Sequence, residues 1–443
     1  MKLKQYQKYK ESNIDFIGKT PNDWNVYRLK FLLSALESGK REPEEETPFE
    51  NGAFSLGGEH INWDGTLKLD NVRLVSEEFY NFMNQGKIKI NDTLLVKDGA
   101  TIGKTAVVKK KEYDKMCVNE HVFILRPNKK LNSRLLYYLI YSDCGFSQIK
   151  LTETGSAQGG VNSEFTSKVT FSIPEDSKEQ KAIADFLDKK TTNINSLLEK
   201  DKHFIELLKE KRVALINHVV TKGLNPKAKF RDSGIDWIGK IPEGWEVRRI
   251  SKLSNVSRGA SPRPIDDPKY FNDNGEYAWV RIADVTASDR YLLETTEKLS
   301  ILGKSLSVAL EPGRLFVSIA GTVGKPIITK IKCCIHDGFV YFKNLKVNNE
   351  YLYYIFIGGQ VYRGLGKLGT QLNLNTETIG SIPIPLPSKT EQTQIVEYLD
   401  KATSKIDEVV KKIKKRMKLL AEYKKSLIHN VVTGKVDVQG GDK

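Results

Sequence analysis

Apolar residues return on alternating four- and three-residue steps through two long stretches of this chain. In the second stretch Ile395, Leu399, Ala402, Ile406, Val409, Ile413, Leu420, Tyr423 and Leu427 share one phase, and Arg416 is the exception. In the first, Ile183, Leu187, Ile194, Leu197, Phe204, Leu208 and Leu215 hold the same phase, broken at Lys190, Asp201 and Lys211. A seam repeating every seven residues predicts coiled-coil helices over 178–218 and 391–430. About forty helical residues span roughly 60 Å. A polar-backed helix with a single apolar seam is not stable alone. Each is therefore expected to pair with the other, antiparallel, within the same chain.

The remaining chain shows shorter periods. Thr93–Val96, Thr105–Val108, Val122–Leu125 and Arg314–Ile319 read as strands, and 131–149 and 348–360 as helices. Glycine and proline punctuate the rest.

These elements occur twice. Asp15-Phe16-Ile17-Gly18-Lys19-Thr20-Pro21-Asn22-Asp23-Trp24-Asn25-Val26-Tyr27-Arg28 returns 221 residues later at Asp236–Arg249, identical at eight of fourteen positions. Thr101-Ile102-Gly103-Lys104 matches Thr322-Val323-Gly324-Lys325. Leu136-Tyr137-Tyr138-Leu139 matches Leu352-Tyr353-Tyr354-Ile355. A period of half the chain is two whole domains, not a solenoid. The segments 38–97 and 258–318 share little, although the framework around them is common. That pattern fits two readers of two different targets; simple drift after duplication is the alternative, although drift should blur framework and loops more evenly.

The expected fold is α+β. Two similar mixed α/β target-recognition domains are joined by two long antiparallel coiled-coil helices in a pseudo-two-fold arrangement. The boundaries read 1–174 for the first domain, 175–222 for its helix, 223–387 for the second domain, and 388–443 for the second helix and tail.

Composition narrows the function. The 443 residues are 39% hydrophobic and 28% charged, which is ordinary for a globular protein. No run of eighteen apolar residues implies a membrane span, and the polar, basic start is no signal peptide. Cys117, Cys144, Cys333 and Cys334 form no Cys-x-x-Cys pair, so neither a zinc site nor a disulfide framework is expected, and a reducing cytoplasm fits. The net charge of +15 attracts polyanions.

Gly99-Ala100-Thr101-Ile102-Gly103-Lys104-Thr105 resembles a phosphate loop but has three residues between its glycines where four are required. The repeat copy, Gly321-Thr322-Val323-Gly324-Lys325-Pro326, also lacks the hydroxyl for magnesium. A tight turn presenting Lys104 and Lys325, each a candidate for a DNA phosphate, is the better reading. No methyl-transfer, nuclease or metal signature recurs in both halves, so no catalytic residue and no metal site are expected. Gln158 and Asn162 align with Gln371 and Asn375. Their amides can read adenine edges or cap local structure, and their presence in both halves favours capping. Base readers should differ between halves. The candidates are Lys40, Arg41 and Arg73 in the first, and Arg258, Arg263 and Arg281 in the second.

Together these residues carry a resemblance across essentially the whole chain. The Ile-Gly-Lys-x-Pro-x-x-Trp-x-Val opening of each half, the Thr-(Ile/Val)-Gly-Lys turn, the Gly-(Ser/Thr)…Gln…Asn loop and the start of each long helix resemble the specificity subunit of type I restriction–modification systems. The joint at Val219–Leu224 and Asp232–Trp237 is similar too. The resemblance implies a non-catalytic subunit that reads a bipartite double-stranded DNA target in the major groove. Its helices would set the spacer and dock two modification subunits. Those partners would bring adenosylmethionine, and restriction subunits would bring ATP and Mg, with no cofactor on this chain. A related split-site system with a fused restriction–modification subunit could use a similar chain. An autonomous nuclease with a cryptic site is the rival from another class.

Overall fold

The computed structural model describes residues 4–42, 52–70, 73–155, 159–365 and 374–439. The predicted helices are α1 (Ser177–Lys222) and α2 (Lys389–Val432). The chain forms two compact units, residues 1–200 with 415–443 and residues 201–414, so each long helix contributes one segment to each unit.

In the first unit, strands β1 (Trp24–Arg28), β2 (Leu33–Ser38), β3 (Ala53–Leu56), β4 (Arg73–Val75), β5 (Thr93–Val96), β6 (Thr105–Val107), β7 (Met116–Val118), β8 (Val122–Pro127) and β9 (Thr170–Pro174) build two sheets and a ribbon. One sheet has the order β2-β8-β5-β6 and the other β4-β3-β7, while β9 pairs with β1. Alternation along β5 explains how they stack. Leu94 and Val96 point to one side and pack with Phe54, Leu56, Met116 and Val118. Leu95 points to the other side, where Phe123 and Leu125 also lie, and joins a core built on the helix Ser133–Tyr141 and on Ile183, Leu187, Leu427 and Val431.

The second unit repeats the plan with β10 (Glu246–Arg249), β11 (Asn255–Arg258), β12 (Tyr277–Val280), β13 (Tyr291–Leu292), β14 (Glu297–Leu299), β15 (Val308–Leu310), β16 (Leu315–Ser318), β17 (Pro326–Thr329), β18 (Cys333–Ile335), β19 (Phe339–Lys343) and β20 (Pro383–Leu386). Its sheets run β11-β19-β16-β17-β13 and β14-β12-β18-β15, and β10 pairs with β20. In both units the second sheet contains one parallel pair, β3 with β7 and β12 with β18. Among the described residues no helix is long and apolar enough to cross a membrane.

The repeated sequence positions turn out to be fasteners between domain and helix. Trp24 donates its indole N–H to Glu179 at 3.0 Å, and Trp245 does the same to Glu391 at 3.0 Å. Gln180 accepts from the backbone N–H of Asn132, and Gln392 from that of Asn348; those asparagines cap the helices Ser133–Tyr141 and Asn349–Ile357. Within each unit the two long-helix segments run antiparallel. In the first, Asn195 meets Lys424, while Trp24, bonded to Glu179, lies against Gly434. In the second, Arg212 meets Asp407 and Gly223 approaches Glu391.

The seam sits one residue away from the predicted phase at every second step. Ile183, Leu187, Ile194, Ile395, Leu399, Ile413 and Leu427 are buried, and Leu208, Leu215, Ile406 and Leu420 are half-buried. Leu197 (49% exposed), Phe204 (47%) and Val409 (39%) are turned outward. The inward positions are Thr191, Leu198, Ile205, Thr403, Val410 and Lys424 instead. The physical reason is local degeneracy. Leu197-Leu198, Phe204-Ile205 and Val409-Val410 are apolar pairs, so either member satisfies a seven-residue period.

Candidate nucleic-acid interface

In each unit the divergent segments gather at the second sheet and where the chain enters it. Gly39 and Gly259 mark that crossing. A Cβ on Gly39 would lie 1.5 Å from the Val118 carbonyl oxygen, and one on Gly259 2.2 Å from that of His336, so only glycine lets the backbones approach this closely.

In the first unit the crossing is followed by Lys40 and Arg41, both exposed. Arg41 lies 3.9 Å from Glu120, and Arg73 on β4 donates to the Glu42 carbonyl at 3.0 Å. The two arginines line one cavity of about 180 Å³ together with Glu59 and His121. His121 bridges Asp98 at 2.6 Å and Glu120 at 3.2 Å.

In the second unit the focus is Asp337, placed two residues beyond β18 as Glu120 is placed two beyond β7. Arg258 donates to its carbonyl, Arg263 lies 3.1 Å from its carboxylate, and Ser261 donates to the carboxylate at 2.7 Å. The Ser261 hydrogen bond, helped by the two arginines, holds its pKa below the usual range. Burial lowers the pKa of neighbouring His336, whose Nδ1 accepts from the Gly338 N–H.

The strand registers expose a charge exchange between the copies. Ser55 pairs with Arg73, and Trp279, the equivalent of Ser55, pairs with Glu297. One edge position is thus a cation in the first unit and an anion in the second. One step beyond the central strand, Gly57 becomes Arg281. The backbone turn is the same: the Gly57 N–H is capped by His60 and the Arg281 N–H by Asp284. Arg281 pairs with Glu297 at 2.6 Å and lies over the Phe271 ring, and the Glu297 bond raises its pKa despite burial.

The remaining candidates have local partners. Lys325 donates to the carbonyls of Ser288 at 2.6 Å and Thr286 at 3.1 Å, and burial lowers its pKa. Both contacts lie within its own domain. Lys104 sits 5.8 Å above the Trp63 ring. Gly103 and Gly324 hold the turns at positive φ, where a Cβ would press on Phe146 and Tyr362. Asn162 accepts from the Glu164 N–H at 3.0 Å, and Asn375 from the Thr378 N–H at 2.8 Å, so both side chains cap local structure. Gln158 and Gln371 lie outside the described residues.

The structure therefore brings together Arg41 with Arg73, and Arg258 with Arg263. Sequence reasoning passed over Glu120, 3.9 Å from Arg41, and Asp337, which holds Arg258 and Arg263. The available signal was an acidic residue three positions after each of the matched Cys117 and Cys334. It also passed over Glu297, whose role depends on strand register. All four cysteines are buried free thiols. Among the described residues no group of three or more His, Cys, Asp or Glu side chains could hold a metal ion.

Comparison with known proteins agrees with this architecture. A family model described as the type I restriction modification DNA specificity domain matches twice, at residues 21–207 and 242–419. The chain is 24% identical over 458 aligned residues to the putative type I restriction enzyme MjaX specificity subunit of Methanocaldococcus jannaschii, covering 98% of this chain and 99% of that protein. It is 24% identical to the MjaVIII specificity subunit of the same organism, covering 98% of each. In fold it is similar to a chain from a study of complex assembly and conformational transition of the type I R-M system, with a TM-score of 0.74, 16% identity, and 94% and 99% of the two chains covered. It is also similar to the HsdS subunit from Thermoanaerobacter tengcongensis, with a TM-score of 0.54, 17% identity, and 94% and 98% covered.

Proposed function

The chain belongs to the type I restriction–modification DNA specificity family, and from that premise we propose that it reads a bipartite DNA target and directs modification and restriction subunits to it. It is a recognition subunit and not an enzyme. Each unit reads one half-site, and the two long helices set the spacer between them. The observation that carries this reading is the exchange at equivalent sheet positions: Arg73 in one unit is Glu297 in the other, and Gly57 is Arg281. A shared scaffold with exchanged charges presents different hydrogen-bond donors and acceptors to two different base sequences.

Within this reading Lys40, Arg41 and Arg73 contact the first half-site, and Arg258, Arg263 and Arg281 the second. Lys104 contacts the DNA backbone. The internal acids hold several of these guanidiniums in place before DNA arrives, which lowers the ordering cost of binding. Adenosylmethionine, ATP and Mg belong to the partner subunits, with two modification subunits per chain. The buried free thiols suit a reducing cytoplasm.

A domain exchange tests the proposal. Residues 25–172 are replaced by the corresponding segment of another family member, and the methylated motif is read by methylome sequencing in a strain carrying the partner subunits. One half-site is expected to change while the other is retained. An unchanged motif would refute the assignment of the divergent segments to base reading.

A further inference from the structure

Lys424 is 5% exposed although it lies on a helix otherwise rich in solvated lysines. Its ammonium donates to the Asp64 carbonyl at 2.9 Å and to the Asn195 side-chain oxygen at 3.0 Å. Both acceptors are neutral, and among the described residues no carboxylate lies within ion-pair distance of this ammonium; the Asp64 carboxylate favours its charge only from farther away, and Lys109 opposes it. A buried ammonium with no carboxylate in contact is costly.

The repeat supplies the comparison. Arg212 stands where Lys424 stands, 212 residues earlier, and Asp407 stands where Asn195 stands. In the second unit these residues form an ion pair, with Arg212 Nε 3.1 Å from the Asp407 carboxylate. The first unit keeps the cation and replaces the carboxylate with an amide.

Beside that amide is a cavity of about 260 Å³, lined by Lys424, Asn195, Thr191, Tyr137, Lys109 and Lys110 among others. The Tyr137 hydroxyl, on a side chain 6% exposed, has no hydrogen-bond partner among the described residues. Burial raises its pKa well above the ordinary value, so it remains an O–H donor. The acids on the wall are otherwise engaged. Asp64 accepts from Thr66 and Glu112 pairs with Lys110 at 2.6 Å, while nearby Asp188 pairs with Arg134 and Lys109. Lys110 and Lys109 are thus taken by Glu112 and Asp188, which leaves Lys424 as the cation of the cavity with no carboxylate in contact.

We propose that this cavity binds a small phosphate-type oxyanion, held by the Lys424 ammonium and the Tyr137 hydroxyl, which supplies the negative charge that Asp407 provides in the second unit. The anion links the divergent segment around Asp64 to both long helices within the first unit.

The test uses the full chain and inorganic phosphate. Thermal unfolding is followed as phosphate is titrated against sodium chloride at matched ionic strength. The wild type is expected to show a saturable rise in Tm of about 2–4 °C beyond chloride. Asn195→Asp recreates the second unit's pair. It is expected to raise Tm without phosphate and to erase the phosphate increment. Tyr137→Phe, which leaves the ring packing intact, is expected to require several-fold more phosphate for the same shift. No phosphate increment in the wild type, or an undiminished increment in Asn195→Asp, overturns the proposal. An increment with a short DNA duplex but none with inorganic phosphate also overturns it, because the phosphoryl group would then belong to the DNA backbone.

Discussion

Tyr138 donates its hydroxyl to Asp188 at 2.8 Å, joining the helix Ser133–Tyr141 of the first unit to α1. The second unit repeats the bond with Tyr354 and Asp400. The cations that neutralise these aspartates are not equivalent. Arg134, on the same short helix as Tyr138, serves Asp188 at 2.7 Å. The matching position in the second unit is Glu350, and the cation comes from Arg290 within the divergent segment. Arg290 lies over the rings of Tyr291, Tyr353 and Tyr354, and its two acidic partners raise its pKa against the opposing effect of burial.

Removing Arg290 leaves Glu350 and Asp400 facing one another without a cation. Arg290→Ala is expected to cost about 3 kcal/mol, and Arg134→Ala about 1 kcal/mol because Arg134 is more exposed. Urea unfolding of the two variants checks the order; equal losses would contradict the greater burial of Arg290.

The seam phase makes a second prediction. Ile205→Ala is expected to destabilise by about 2–4 kcal/mol, and Leu197→Ala and Phe204→Ala by less than about 1 kcal/mol. Chemical denaturation distinguishes them, and a large loss at Leu197 would favour the other phase.

Specificity should respond one half-site at a time. Arg281→Ala is expected to relax recognition in the half-site read by the second unit by about 1–3 kcal/mol at one base pair, leaving the other half-site intact. Arg73→Ala should do the converse. Methylome sequencing reads both, and a uniform loss across sequences would make these residues phosphate contacts.

The spacer should track helix length. Deleting about one heptad from both α1 and α2 removes roughly 10 Å of helix from each. The methylated motif is then expected to have a spacer shorter by whole base pairs. An unchanged spacer in an active complex would separate helix length from target geometry.

Acid should weaken the second unit through His336, whose folded pKa is lowered by burial. Below the ordinary value of 6.5 the unfolded chain takes up a proton that the folded chain resists. Stability is therefore full above about pH 6.5 and falls with pH until the folded pKa is passed. His336→Gln is expected to flatten that part of the stability profile, measured by denaturant midpoints between about pH 7 and 5; an unchanged slope would assign the acid loss elsewhere.

Local patterns and internal comparison determined much of this protein before any coordinates. The repeat announced two like domains, period-seven apolar spacing announced two long helices, and their joint order carried the family. Asn162 and Asn375 were already legible as caps because both halves keep them. What the tertiary structure decided depends on distance through space. The choice between Leu197 and Leu198 is invisible to a period that either satisfies. The capture of Lys325 by Ser288 and Thr286, the opposition of Arg73 and Glu297 at one edge, and the replacement of Asp407 by Asn195 beside a buried ammonium all depend on strand register or helix alignment. A side chain's charge is written in the sequence, but its partner is set by long-range packing, and the partner decides whether that charge is spent inside the fold or offered to DNA.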